Sequence, residues 1–265
     1  MIKIAREEQE RPAVVVEIGN TTTTVGLWIR DEVQSPLVVP TGDEPAFHDA
    51  FEAHLAAAPN GRIAATVVAS VVPRALETIR AFIFDRTGKE ALVIGDALPL
   101  PMDIGVQDPK AIGVDRVCQA FAAFDRLEGE CTVVAFGTAI TVDLVDGDGV
   151  LVGGAIMPGL RMQLRALHQN TAQLPEIAPA FPNLPFGQNT AEAIQNGVCR
   201  GIVGAVRNLV EGYATHLNRW PQVVATGGDA AFLQPHLDFI DTFVANLALR
   251  GVGLAFSKHL AEEGA

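Results

Sequence analysis

One strand-turn-strand unit occurs twice in this chain, and that repetition limits its possible folds more than any other feature. "EIGNTTTTV" begins at Glu17 and "AFGTAITVD" at Ala135; laid over one another, they align Gly19 with Gly137, Asn20 with Thr138 and Thr23 with Thr141. Before each glycine stands an apolar run rich in β-branched residues, Ala13 to Ile18 in the first half and the residues from Cys131 in the second. Such runs suit buried strands. A second β-rich run follows each turn, Thr22 to Ile29 and the stretch through Val145, so the chain reverses tightly at both glycines.

The surrounding pattern repeats as well. In the first half it predicts a third strand near Val33 to Val39, a helix over Pro45 to Ala58, a strand over Ile63 to Val72 and a helix over Arg74 to Asp85, after Pro73. A strand at Ala91 to Gly95 and a long helix at Ile112 to Leu127 complete it. In the second half the chain turns at Asp146 to Gly149, pairs back through Val150 to Ile156, and starts a helix at Pro158. A helix over Ala191 to Trp220, a strand over Gln222 to Thr226, the turn "TGGD" and a closing helix from Leu247 follow. Alternation of this kind predicts α/β sheets covered by helices. With 265 residues to distribute, the reading is two similar lobes, 13–128 and 129–265, meeting near Leu127 to Glu130.

Charge and cysteine usage exclude several classes of function. The net charge of -12 disfavours general affinity for nucleic acid or an anionic membrane and suits a protein handling small molecules. Cys118, Cys131 and Cys199 are odd in number, widely spaced and free of any CxxC pattern, which argues against a disulfide framework or a zinc site and fits a reducing cytoplasm. The N-terminal "MIKIAREEQERPA" lacks the apolar core of a targeting signal, and no later stretch has the uninterrupted apolar length of a membrane span. No two of the six histidines stand at metal-ligand spacing; His168 reads as a polar helix position.

The glycine turns carry the chemistry. A glycine after a buried strand lets the backbone approach a ligand, and threonine hydroxyls and N–H groups beside it can hold phosphate oxygens or metal-bound water. Either turn alone fits an ordinary hairpin equally well; their duplication favours a phosphate grip with two halves. A third glycine turn, Thr226 to Gly228, precedes a helix N-terminus suited to an anion or to the base and ribose of a nucleotide. Neither GxxxxGK[ST] nor GxGxxG is present. "GVDR", Gly113 to Arg116, opens an apolar helix. Taken alone, its Asp and Arg read as a capping pair; beside a phosphate grip they read as a carboxylate to accept a hydroxyl proton and a cation to hold an anionic acceptor. In "GQNTAEAIQNG", Asn189 or Thr190 is a natural N-cap, with Glu192 near the third helical position.

Assembled, these stretches resemble the type III pantothenate kinases, of the superfamily that includes actin, sugar kinases and the heat-shock chaperone ATPases. The resemblance runs from about Val14 to Phe256 through "GNTTTTVGL", "SVVP", "DPKAIGVDR", "FGTAITVD", "GGAIMPGL", "NTAEAIQNG" and "ATGGDAAFL". It implies a duplicated actin-like ATPase fold, two ribonuclease-H-like lobes with a nucleotide cleft between them. It also implies transfer of the γ-phosphate of ATP to the terminal hydroxyl of pantothenate, the first committed step toward coenzyme A, by a homodimer with the acceptor site at or near the subunit interface. Carried over residue by residue, Gly19, Asn20, Thr21, Thr22, Thr23 and Thr24 would hold the phosphates, joined by Gly137 and Thr138. Asp115 would be the general base. Gly113, Val114, Asp115 and Arg116 would line the acceptor site, with Thr190 a further contact.

Three positions depart from the family pattern. Glu17 stands where the family usually has Asp, one methylene shorter; this carboxylate would position Mg²⁺ through water. Ala135 replaces an Asp that binds the family's monovalent cation, potassium or ammonium, and a methyl group cannot ligate a cation. The site is therefore lost or supplied by another group such as Asp143. Val106 stands where the family often places an aromatic residue near the acceptor. These departures leave two rivals to a pantothenate kinase: a non-catalytic nucleotide-binding or regulatory relative, and a kinase for another small hydroxy acid.

Overall fold

A computed structural model describes residues 12–264. Residues 1–11 of the stretch read above for a targeting signal, and the final residue of the expected second lobe, lie outside them. The chain divides into two compact units, one holding the described residues up to Arg126 together with those from Asn246 onward, the other Leu127–Ala245.

In the first unit β1 (Ala13–Ile18) lies between β2 (Thr22–Ile29), antiparallel to it, and β4 (Thr66–Ser70), parallel to it. β3 (Glu32–Pro40) forms one edge and β5 (Leu92–Val93) the other, in the order β3-β2-β1-β4-β5. Side chains alternate across the strands. Val14, Val16, Ile18, Val25 and Leu27 pack against α1 (Glu44–Ala57) and α2 (Pro73–Thr87) through Phe47, Phe51, Ile79 and Ile83. The opposite face, carrying Trp28 and Gly26, is covered by α7 (Leu247–Gly264), where Ser257 accepts from the Trp28 indole at 3.0 Å. With both faces covered, β1 reads as a nearly unbroken apolar run, and Glu17 is its one ionisable interruption. α3 (Val114–Leu127) presses its Cys118 backbone against Gly251 of α7.

The second unit repeats the strand order. β6 (Cys131–Phe136) is antiparallel to β7 (Ala139–Val145) and parallel to β9 (Gln222–Thr226), with β8 (Leu151–Pro158) and β10 (Thr242–Phe243) at the edges. Val134, Phe136, Ile140 and Val142 form a core with Leu160 and Leu164 of α4 (Leu160–Gln169) and with Ile202, Val206 and Val210 of α5 (Thr190–Leu217).

Several boundaries differ from expectation for local reasons. Pro158 ends β8 instead of starting a helix; at the end of an edge strand its missing N–H costs no ladder bond, and α4 begins two residues later with Gly159 as its N-cap. The strand expected over Ile63 to Val72 contracts to Thr66–Ser70, because the Ser70 hydroxyl turns the chain by accepting the Val72 N–H at 3.1 Å. Pro73 is itself the first residue of α2. The closing helix, placed by sequence order in the second lobe, belongs to the first unit, where it packs on β1 to β4. Strand register also refines the alignment of the two turns. Glu17 pairs with Thr24 and Ala135 with Thr141, so Thr24, not Thr23, corresponds to Thr141, and the first turn is one residue longer.

Candidate active site

The first group of candidate residues gathers at the carboxyl ends of β1, β3 and β4, where ligands of α/β sheets characteristically bind. Ile18 pairs with Thr23, leaving Gly19 to Thr22 as the reversal, closed by the Gly19 N–H donating to the Thr22 carbonyl at 2.9 Å. A Cβ on Gly19 would stand 3.1 Å from that carbonyl and 3.2 Å from Glu17 Oε1, so a larger residue would crowd the tight turn. The threonine row then divides. Thr21 and Thr22 are exposed beside Asn20, while Thr23 and Thr24 are buried with their hydroxyls engaged inside the protein. The Thr23 hydroxyl lies 3.0 Å from that of Thr41, and the Thr24 hydroxyl donates to the Glu17 carboxyl.

Asp115 stands in the first turn of α3, its carboxylate accepting the Arg116 N–H at 2.9 Å. The bare Cα of Gly113 makes room for it: a Cβ there would lie 2.5 Å from Asp115 Oδ1. Val114 and Arg116 beside it are half-buried. Burial pushes the Asp115 carboxyl above the usual carboxylate range, partly opposed by the N–H and charge of Arg116. Glu17 is displaced further. Burial first, then the negative charge of Asp115, push it up to about 7, against the Thr24 hydrogen bond. Cys118, one turn along α3, feels both carboxylates and is fully buried, which holds its thiol protonated and inert.

Two buried carboxylates thus stand near one another, the charge of Asp115 adding to the proton affinity of Glu17, and such a pair fits a magnesium ion held by one or two carboxylates plus substrate phosphates. Among the described residues no cluster of three or more acidic, histidine or cysteine side chains could hold a metal unaided. A cavity of about 390 Å³ opens beside the turn, among Asn20, Thr23, Thr41, His48 and Arg74, and Asp115 is not among its lining residues.

The second group lies in the second unit. Gly137 donates to the Ala139 carbonyl at 3.2 Å, and Thr138 is exposed at the tip. Two glycines brace this turn from behind. Gly159 donates to the Thr138 carbonyl at 3.0 Å, and Gly227, with φ of +102°, lies so close to the Phe136 backbone that any Cβ would overlap it. Asp229 donates its N–H to the Phe136 carbonyl at 3.1 Å and pairs with Arg161 at 3.2 Å, so the "TGGD" turn and the Gly137 turn are one assembly. Thr190 opens α5, exposed. Asn189 is the N-cap, accepting from the Glu192 N–H at 3.0 Å, while Glu192 accepts from Gln188 at 2.9 Å; the reciprocal cap leaves the Thr190 hydroxyl out of it.

Ala135 faces Thr141, whose Oγ1 is buried without a hydrogen-bond partner, and Asp143 is buried two residues further along β7. Val106 is half-buried in the segment between β5 and α3. Sequence reading missed Thr41 and the bracing role of Gly159. The signal was present in "VVPTG" and "IMPGL", where each third strand ends in proline and the next residue donates its N–H to the glycine turn.

Comparison with known proteins gives this architecture its relatives. A family model described as type III pantothenate kinase matches residues 13–212. The chain is 33% identical over 253 residues to a type III pantothenate kinase of Syntrophotalea carbinolica, covering 93% of this chain and 98% of the relative. It is 34% identical over 257 residues to one of Ruegeria pomeroyi, covering 95% and 98%. Among solved structures it resembles a protein from Campylobacter jejuni described as a Baf family transcriptional activator, with a TM-score of 0.60, 18% identity and coverage of 94% and 99%. It also resembles the ethanolamine utilization protein EutJ from Carboxydothermus hydrogenoformans, with a TM-score of 0.51, 12% identity and coverage of 92% and 88%. At those identities the two likenesses speak to fold alone.

Proposed function

The chain belongs to the type III pantothenate kinase family, and from that premise we propose how its residues carry the reaction. The protein is a kinase that transfers the γ-phosphate of ATP to pantothenate, yielding 4'-phosphopantothenate for coenzyme A biosynthesis. The observation that carries the mechanism is the Asp115 carboxyl, raised by burial, standing close enough to Glu17 beside the first glycine turn for its charge to be felt there.

In this reading the Gly19 to Thr24 turn and the Gly137 to Thr138 turn hold the phosphates, Asn20, Thr21 and Thr22 presenting exposed groups and Thr23 and Thr24 fixing the shape from inside. Arg116 holds the carboxylate of pantothenate, Gly113 and Val114 shape the acceptor wall, and Thr190 adds a polar contact. Asp115 takes the proton from the terminal hydroxyl as that oxygen bonds to the γ-phosphorus; the bond from phosphorus to the bridging oxygen breaks, and ADP leaves. A base whose proton affinity is raised by burial suits this role near neutral pH. Glu17 would hold a magnesium ion through water, and that ion would supply neutralisation of the charge on the phosphates.

In this reading potassium or ammonium plays no part: the Ala135 side chain has no ligating atom, and Asp143 pairs with Val133, two residues along β6 from it. The protein acts as a homodimer in the cytoplasm. Support for a partner surface comes from exposed Val152, Ile156, Met162, Leu184 and Phe186 on the second unit, and support for a reducing compartment from three unpaired, buried thiols. Among the described residues no helix is long and apolar enough to cross a membrane.

The test is purified protein with Mg·ATP and pantothenate, with and without potassium or ammonium, read by mass spectrometry for 4'-phosphopantothenate. Product in every condition is expected. Nucleotide binding with no turnover would replace the kinase by a binding protein, and turnover with another hydroxy acid alone would move the acceptor, the outcome that Val106 would explain.

A further inference from the structure

Thr41, at the exit of β3, makes three contacts with the first glycine turn. Its N–H donates to the Thr21 carbonyl at 3.0 Å, its hydroxyl donates to the Gly19 carbonyl at 2.8 Å, and the same oxygen lies 3.0 Å from the Thr23 hydroxyl. These bonds decide which way the turn's peptide planes face. In a trans peptide the C=O and the following N–H point in opposite directions, and the described residues contain no cis bond. Tying back the carbonyls of Gly19 and Thr21 therefore directs the N–H groups of Asn20 and Thr22 away from β3.

The second unit shows why a side chain is needed. By strand register Pro40 pairs with Thr22 and Pro158 with Ala139, so Thr41 and Gly159 are counterparts. Gly159 braces a turn one residue shorter, by backbone contact alone, and a Cβ there would overlap the Gly137 and Thr138 carbonyls. The longer first turn leaves a gap between backbones, and the Thr41 hydroxyl fills it.

We propose that Thr41 is a positioning residue for nucleotide binding, its hydroxyl holding the Gly19 to Thr22 turn in the orientation that presents backbone N–H groups to the phosphates. This rests on the kinase reading above. Thr41→Val keeps volume and the N–H bond to Thr21 but removes both hydroxyl contacts; Thr41→Ser keeps the hydroxyl. Affinity for Mg·ATP by calorimetry, and the Michaelis constants for ATP and pantothenate, are measured on all three proteins. Loss of one or two hydrogen bonds that orient the turn predicts weaker ATP binding by about tenfold in Thr41→Val. The pantothenate constant stays near wild type, the thermal midpoint falls modestly because the buried Thr23 hydroxyl loses its partner, and Thr41→Ser recovers most of both the midpoint and the affinity. Wild-type ATP affinity in a folded Thr41→Val protein, or equal weakening in both variants, overturns the assignment. Because nucleotide binding is read directly, a wild type that binds ATP without phosphorylating pantothenate sinks the kinase reading alone.

Discussion

Glu17 and Asp115 are held where neither carboxylate is comfortable, and their two roles follow from how each is compensated. Asp115 has the Arg116 N–H and charge to support its ionised form; Glu17 has one threonine hydroxyl and a like charge nearby. Asp115→Asn keeps the side-chain volume and removes the proton acceptor, so kcat should fall by about 10²- to 10⁴-fold while ATP affinity and the unfolding midpoint stay near wild type; near-normal kcat would remove Asp115 from the base role. Glu17 predicts a pH dependence of stability in the ligand-free protein. Its folded carboxyl is raised from 4.5 to about 7, so the native state binds the proton more tightly than the unfolded chain. The stabilisation is fully present below about pH 4.5 and is lost as the pH rises through 7, a loss of about 3 kcal/mol. Glu17→Gln should remove that slope, becoming more stable than wild type at pH 8 and not at pH 4.5. Urea denaturation across this range checks it, and parallel curves for the two proteins would refute the assignment of Glu17.

At the scale of elements, the site is set by how closely helices and turns approach one another. α3 carries Asp115 at its head, and its position is fixed from behind by Gly251 of α7, where a Cβ would overlap the Cys118 carbonyl and Cα. Both groups are backbone, so a flexible side chain cannot give way. Gly251→Ala should therefore push α7 and α3 apart, costing about 1–3 kcal/mol of stability and lowering kcat through Asp115 while leaving the substitution itself remote from substrate. Chemical denaturation and steady-state kinetics on the same preparation test both effects; a stability and kcat equal to wild type would show that the helices have slack. The irregular segment between α4 and α5 is held in a different manner, by α5 side chains reaching its carbonyls: Gln195 to Ala178 at 2.9 Å, Cys199 to Ala180 at 3.4 Å and Arg200 to Pro182 at 3.3 Å. These bonds give a long loop fixed anchor points just before the cap that presents Thr190.

At the scale of the whole molecule, duplication explains both what the sequence disclosed and what it withheld. β1, β2 and β9 were legible to the residue because β-branched runs bounded by turn residues are local signals. The closing helix was misplaced because nothing in "LALRGVGLAF" says that the chain returns to the first unit. Glu17 and Asp115 were each visible as candidates, but the effect of the Asp115 charge on Glu17 needed the fold, as did the role of Thr41. The extra residue in the first turn was invisible to a gapless alignment and appears only in strand register. That register also makes Ala135 the structural counterpart of Glu17, opposite Thr141 as Glu17 is opposite Thr24. In the first unit the threonine hydroxyl donates to a carboxyl; in the second it has no partner. Activity should then be the same in potassium, sodium and lithium buffers. Ala135→Asp supplies the missing carboxylate at a position only 7% exposed, where an uncompensated charge is costly. The variant should be less stable than wild type in lithium by about 1–3 kcal/mol, regain part of that loss in potassium, and show a kcat that now responds to the cation. A potassium requirement in the wild type, or indifference to potassium in the variant by both measures, would show that position 135 is not where the second unit meets a cation.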